Sequence, residues 1–213
     1  MAYGFLDIAA TPSVKVAQAE AGTADYWAEF RGDRAFERFT AAEAAFIAAR
    51  DSFYIASVSE TGWPYVQHRG GPPGFLKVLD DQTLSFADYR GNRQYISLGN
   101  VRADDRVSLI LVDYPNRRRL KLFGHVEVRS LADDPALAER LAIPGERGRS
   151  ERSFLVRLAS FDWNCPQHIT PRFTEAELAG ALDPVRERLA ALEAESQELR
   201  VRLAACTNDG STS

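Results

Sequence analysis

The sequence is poor in the residues that usually advertise chemistry. Its 213 residues include two cysteines, Cys165 and Cys206, set far apart. That excludes a disulfide framework and a thiolate metal cluster. The three histidines, His68, His125 and His168, stand at no ligand spacing, so no metal site is expected. No apolar run approaches the ~20 residues that cross a bilayer, so no membrane span is expected. The start, MAYGFLDIAATPSVK, has no basic leader ahead of an apolar core, and a cytoplasmic location is the expectation. A net charge of -4 argues against general nucleic-acid binding. Neither G-x-G-x-x-G nor the Walker A pattern occurs, which counts against Rossmann and P-loop domains.

What is present reads as an ordinary globular chain, 45% hydrophobic and 26% charged. Its length suits one domain with an appendage. Residues 1–39 mix alanines and scattered aromatics and read as an N-terminal arm with helical pieces. Thr40 followed by Glu43 is a capping-box pattern that opens a short Ala-rich helix. From Phe53 the texture becomes β-branched and aromatic, with FYIASVS, YVQHR, FLKVL, TLSFA, RVSLILVDY, LKLFGHVEVRS and RSFLVRLASFDW separated by turn residues. Six or so short strands, few crossovers and two interrupting helices predict a mainly β fold with α, an antiparallel barrel or closed sheet over residues 40–173. Residues 174–205 carry apolar positions in steps of four and three, with Ser196 filling one of them. This is a heptad pattern, which suits either a coiled coil or an amphipathic helix lying on its own domain. Pro184 is expected to restart that helix, and 206–213 to form a disordered tail.

The stretch FADYRGNRQYISLGN, residues 86–100, hands a strand to a helix through a glycine, an amide and two arginines. A helix start offers unpaired N–H groups and arginine a forked, permanent charge, so the pattern suits an anion as well as a solvated turn. YVQHRGGPPGFLKV adds Gln67, His68, Arg69 and Lys77, and PNRRRLKLFG adds Arg117 to Arg119 and Lys121. Alternation along the latter predicts Arg119 and Lys121 on the face opposite Leu120 and Leu122. Three basic segments on one sheet suit a phosphate-bearing ligand.

In order and motif, FLK, SFADYRGNR and RRRLKLFG resemble the FMN-binding split-barrel family, the pyridoxamine 5'-phosphate oxidase-like proteins, over roughly residues 40–165. The resemblance implies FMN contacts at Lys77, Asn92 and Arg93, with the phosphate mainly on Arg93. It implies a flavin lined by Phe86 and Ala87, with Gln67, His68 and Arg69 near the ring or ribityl chain. Arg119 matches a position near the ring system, where a cation could stabilise a negatively charged flavin. The family's C-terminal region reaches the site, often from the other subunit, which brings in Trp163, Asn164 and Cys165. The arginine and histidine set that holds pyridoxamine phosphate in the family's oxidases is replaced here by DWNCPQHITPRF, which points away from that substrate.

The resemblance therefore implies a six-stranded antiparallel split barrel with helices packed around it, a homodimer with FMN at the subunit interface, oxidising or reducing a small organic substrate with NAD(P)H as a possible donor. Alternatives within the same barrel are a non-catalytic FMN carrier and a haem or deazaflavin F420 binder. His125 reads as structural. Cys165 and His168 can be inert packing and loop residues or part of the site.

Overall fold

Alternation decides which way each strand faces. In β1 (Ser52–Val58), Phe53, Ile55 and Ser57 are buried while Tyr54 and Val58 are exposed. The computed structural model describes residues 4–28, 37–145, 150–164 and 166–209, divided into two units, Met1–Ile169 and Thr170–Ser213. In the first unit β1 is joined by β2 (Pro64–Gly70), β3 (Lys77–Asp80), β4 (Thr83–Tyr89), β5 (Arg106–Asp113), β6 (Arg118–Ser130) and β7 (Ser150–Asn164). They form one antiparallel sheet in the order β2-β1-β5-β6-β7-β4-β3. The sheet has seven strands, one for each extended segment in the sequence and one more than the expected barrel of six, and β2 and β3 on either side of GGPPG are its two edge strands.

The sheet is curled. Phe53 on β1 and Phe86 on β4 are four strand positions apart, yet their ring centroids are 5.2 Å apart. A flat sheet would hold them roughly 19 Å apart at ~4.8 Å per strand. Phe75 and Phe154 extend the same cluster, stacking on Phe53 at 5.7 Å and on Phe86 at 5.2 Å. Burying each ring is worth about 1.5–3 kcal/mol, so this interior drives closure. The GGPPG glycines serve that core: a Cβ on Gly71 would lie 2.7 Å from Cγ of Phe75.

Between its edges the sheet is bridged by side chains. Arg69 on β2 is joined to Asp88 on β4 at 2.7 Å, and Arg152 on β7 reaches the other oxygen of Asp88 at 3.5 Å. The Arg69 guanidinium lies over Phe86 and Phe154, 5.5 and 5.6 Å from their centroids.

Helices close the rest. α1 (Phe5–Ala9), α2 (Pro12–Glu20) and α3 (Ala24–Ala28) occupy the N-terminal arm, with Phe5 stacked on Phe123 of β6. The remainder of the arm, 29–36, lies outside the described residues. α4 (Ala41–Ala48) has the expected capping box, Thr40 with Glu43, and sends Phe46 and Ile47 into the core. α5 (Ile96–Ala103) contributes Leu98 and Val101 to the core, and its Asn100 donates to the Ser57 hydroxyl at 3.1 Å. α6 (Pro135–Leu141), capped by Asp134, packs Leu137 and Leu141 with Leu131 and Leu155 on the sheet's outer face.

The second unit is dominated by α7 (Glu175–Asp209). Pro184 does not restart the helix but lies inside it. The carbonyl that a proline ring crowds belongs to residue i−4, here Gly180, which has no side chain to resist a local tilt. Residues 206–209, expected in the tail, continue the helix, and 210–213 lie outside the described residues. Among the described residues no helix is long and apolar enough to cross a membrane.

Breaking a buried ion pair costs about 3–5 kcal/mol, because the partner charge is left uncompensated. Asp88→Asn is therefore expected to lower unfolding stability by about 3 kcal/mol in urea titrations. A loss below about 0.5 kcal/mol would show that the aromatic core closes the barrel without the bridge.

Candidate functional site

The bridge between Arg69 and Asp88 floors a cleft of about 220 Å³ between β2, the end of β4 and the start of α5. β2 turns Tyr65, Gln67 and Arg69 towards it because these alternate residues share the inward face of an edge strand. Loop 90–95 forms the opposite wall.

That loop has an unusual backbone. Gly91, Arg93 and Tyr95 have φ values of +43°, +63° and +51°. Such a conformation costs an arginine or tyrosine roughly 1–3 kcal/mol and persists only where its surroundings impose it. The surroundings are visible. The Asn92 side-chain Oδ1 accepts from the Gln94 backbone N–H at 3.1 Å, and the Tyr95 hydroxyl donates to Glu151 at 3.1 Å. Glu151 also holds Arg152, which lies 4.7 Å over the Tyr95 ring, and faces Arg90 at 3.6 Å. Alternating φ signs turn backbone N–H groups into an anion-binding concavity. Just beyond, α5 begins without a capping bond from the side chain of its N-cap, Tyr95.

Four arginines, Arg69, Arg90, Arg93 and Arg152, thus stand around two carboxylates, Asp88 and Glu151. Two positive charges are left over. Arg93 is exposed and forms no ion pair or hydrogen bond with any described residue. Nε of Arg69 is buried without an acceptor, although Nη1 is bonded to Asp88. Gln67 is oriented by the Ser97 hydroxyl, which donates to its carbonyl oxygen at 2.6 Å.

Of the residues singled out from sequence, the cleft gathers Gln67, Arg69, Asn92 and Arg93. The others lie elsewhere in this chain. His68 is on the outer face of β2, 5.4 Å edge-on to Tyr54. Lys77 opens β3 opposite Ser85. Phe86 is 1% exposed in the core, and Ala87 faces the apolar cluster under α6. Arg119 sits on β6 between Val112 and Asn164, on the face opposite Leu120 and Leu122 as alternation predicts. The Asn164 side chain and all of Cys165 lie outside the described residues. His125 pairs with Asp105 at 2.9 Å, and His168 has a φ of +61°.

Trp163 has its partners within this chain. Its indole N–H donates to Glu43 at 2.8 Å, Phe46 meets it edge-on at 4.7 Å, and Arg118 covers it at 4.5 Å. Burial pushes the Glu43 carboxyl up, but hydrogen bonds from Thr40 and Trp163 outweigh it and hold the group below the usual range.

Tyr65, Tyr95, Glu151 and Arg152 are additions that sequence reasoning missed, whereas Arg90 is one of the two arginines it read in the turn. Arg152 had a signal: with Phe154 and Val156 it forms an alternating series on the core face of β7, where an unpaired arginine is not tolerated.

The family model described as Pyridoxamine 5'-phosphate oxidase matches residues 39–158, more than half of the chain, and the protein belongs to that family. No curated protein matches. Among solved structures, the chain is similar to an FMN-binding protein from Syntrophomonas wolfei at 12% identity and a TM-score of 0.45, covering 69% of this chain and 97% of that one. General stress protein 26 from Bacillus anthracis is similar at 11% identity and 0.44, covering 61% and 92%. An F420 reductase is similar at 20% identity and 0.41, covering 55% and 94%.

Glu43 offers a pH test. Its folded pKa is depressed, so its contribution is present above the unfolded value of about 4.3 and is lost as pH falls through the folded value. Glu43→Gln is expected to cost about 1–3 kcal/mol at pH 7 and progressively less towards pH 3, by denaturant unfolding at each pH. A deficit independent of pH would assign the loss to packing instead of charge.

Proposed function

We propose that the protein binds FMN with its phosphate in the cleft beside loop 90–95 and acts as an oxidoreductase on a small organic substrate other than pyridoxamine phosphate. The observation that carries this reading is Arg93: an arginine held at φ +63°, facing a cationic cleft, with no partner among the described residues. The loop's own hydrogen bonds hold that backbone, and a phosphate would give its unpartnered guanidinium an acceptor. The donor set fits the group. Two surplus positive charges match a phosphate dianion, and Arg69 has an N–H in want of an acceptor.

FMN, when bound, supplies hydride transfer; the chain supplies placement and charge. In this reading Arg93 and the loop amides hold the phosphate, Asn92 shapes the loop, and Gln67 presents an amide already oriented by Ser97. Asp88 keeps Arg69 in position and prevents the cationic cleft from being held open by its own repulsion. A nicotinamide cofactor is the proposed electron donor.

The proposed assembly is a homodimer. A cleft of about 220 Å³ is smaller than the ~300–1,000 Å³ usual for cofactor-sized ligands, so one copy accommodates only part of a flavin. The outer face of β1 and β2 exposes Tyr54, Val58 and Val66 at 40%, 41% and 61%, an apolar band suited to a second copy. Contacts from Lys77, His68 and Arg119, which lie outside this cleft, are proposed across that interface.

The test is to purify the protein without added cofactor, record its absorbance and identify what denaturation releases. FMN is expected, bound more tightly than riboflavin. Arg93→Ala should weaken FMN by about 10–100-fold and riboflavin little, since a charge-assisted bond is worth about 1.5–3 kcal/mol. A colourless protein that also rejects added FMN, or an Arg93→Ala variant that still prefers FMN, would remove the reading.

A further inference from the structure

The flavin reading leaves α7 without a role. Along this helix Leu178, Leu182, Val185, Leu189, Leu192 and Leu199 are 43–61% exposed. Their spacing of four, three, four, three and then seven residues, with Ser196 inside the last interval, draws one stripe down a single face. A long helix in water takes most of its stability from packing such a stripe.

We propose that α7 pairs with α7 of a second copy as a parallel, in-register, two-stranded coiled coil. In heptad terms Leu182, Leu189 and Ser196 take the a positions and Leu178, Val185, Leu192 and Leu199 the d positions. The flanking g and e positions carry Arg188, Glu195 and Arg186, Glu193, Arg200. In a parallel pair each g residue meets the e residue five places on in the other helix. Arg188 then faces Glu193 of the second copy, and Glu195 faces its Arg200. Both contacts are of opposite sign, both occur twice by symmetry, and no like charges meet.

Direction is decided by Ser196. An antiparallel pair with complete overlap also brings opposite charges together, but it sets Ser196 against Val185 and buries the hydroxyl against an apolar group twice. The parallel pair sets Ser196 against its own copy, where the two hydroxyls can bond each other. A shallow depression at this place, edged by Leu192, Glu195, Leu199 and Arg200, suits the side chain of a facing helix. The proposal does not depend on flavin, since these residues lie outside the family-matched span 39–158.

The experiment uses the full chain with Cys165 and Cys206 replaced by serine and a single thiol introduced as Ser196→Cys. Mild oxidation should convert most of the protein to a disulfide-linked dimer on a non-reducing gel. Adding Glu193→Lys and Glu195→Lys, or separately Arg188→Glu and Arg200→Glu, should cut the yield at least tenfold. Mixing those two variants should restore it, because every g–e contact is again of opposite sign. Circular dichroism of each variant separates loss of pairing from loss of fold. Three results would overturn the proposal: no cross-link at 196, cross-linking of Ser196→Cys only to a Val185→Cys chain, or yields indifferent to charge reversal.

Discussion

An ion pair spans the opening in the barrel, and much else depends on it. Seven strands curl until β1 and β4 touch through Phe53 and Phe86, but the edge strands β2 and β3 pair with only one neighbour each. Arg69 reaches from β2 to Asp88 on β4, with the guanidinium resting on Phe86 and Phe154. A half-buried cation is tolerable there because a carboxylate and two aromatic faces act on it together. The opening that lacks strand pairing is also where a ligand can enter. Stability and site therefore share residues, and the floor of the cleft cannot be altered without loosening the barrel.

Local rules made much of this legible before any coordinates. Alternation placed Arg119 and Lys121 opposite Leu120 and Leu122, and the Thr40–Glu43 spacing announced the start of α4. The polar turn between β4 and α5 was visible as a candidate anion site, and Gln67, Arg69, Asn92 and Arg93 meet there. What stayed hidden was set by pairings remote in sequence. Arg152 comes beside Asp88 because β7 lies next to β4, an adjacency that no local pattern encodes. Trp163 and Glu43 are 120 residues apart and joined by one hydrogen bond, so the tryptophan read as a ligand contact has a partner in its own core. His68 neighbours Gln67 and Arg69 in the chain but, by the period of two, faces the other way. In α7 the proline was read by its general habit, whereas Gly180 four residues earlier changes what that proline can do.

The loop between β4 and α5 connects these strands of argument. Its left-handed Arg93 and Tyr95 store strain that free solvent would let relax. Glu151 opposes that relaxation: it accepts from Tyr95, holds Arg152, and through Arg152 touches the same Asp88 that fixes Arg69. Two carboxylates thus tie three arginines and a tyrosine into one network and leave Arg93 outside it. If the loop were only a solvated turn, there would be no need to hold Tyr95 so firmly while releasing the arginine two residues before it. The arrangement makes sense as a frame that absorbs every charge it needs for its own rigidity and keeps one in reserve. In the proposed reading, this reserved, permanently charged, forked donor above a cationic cleft serves a phosphate, and the strain is the cost of having it ready.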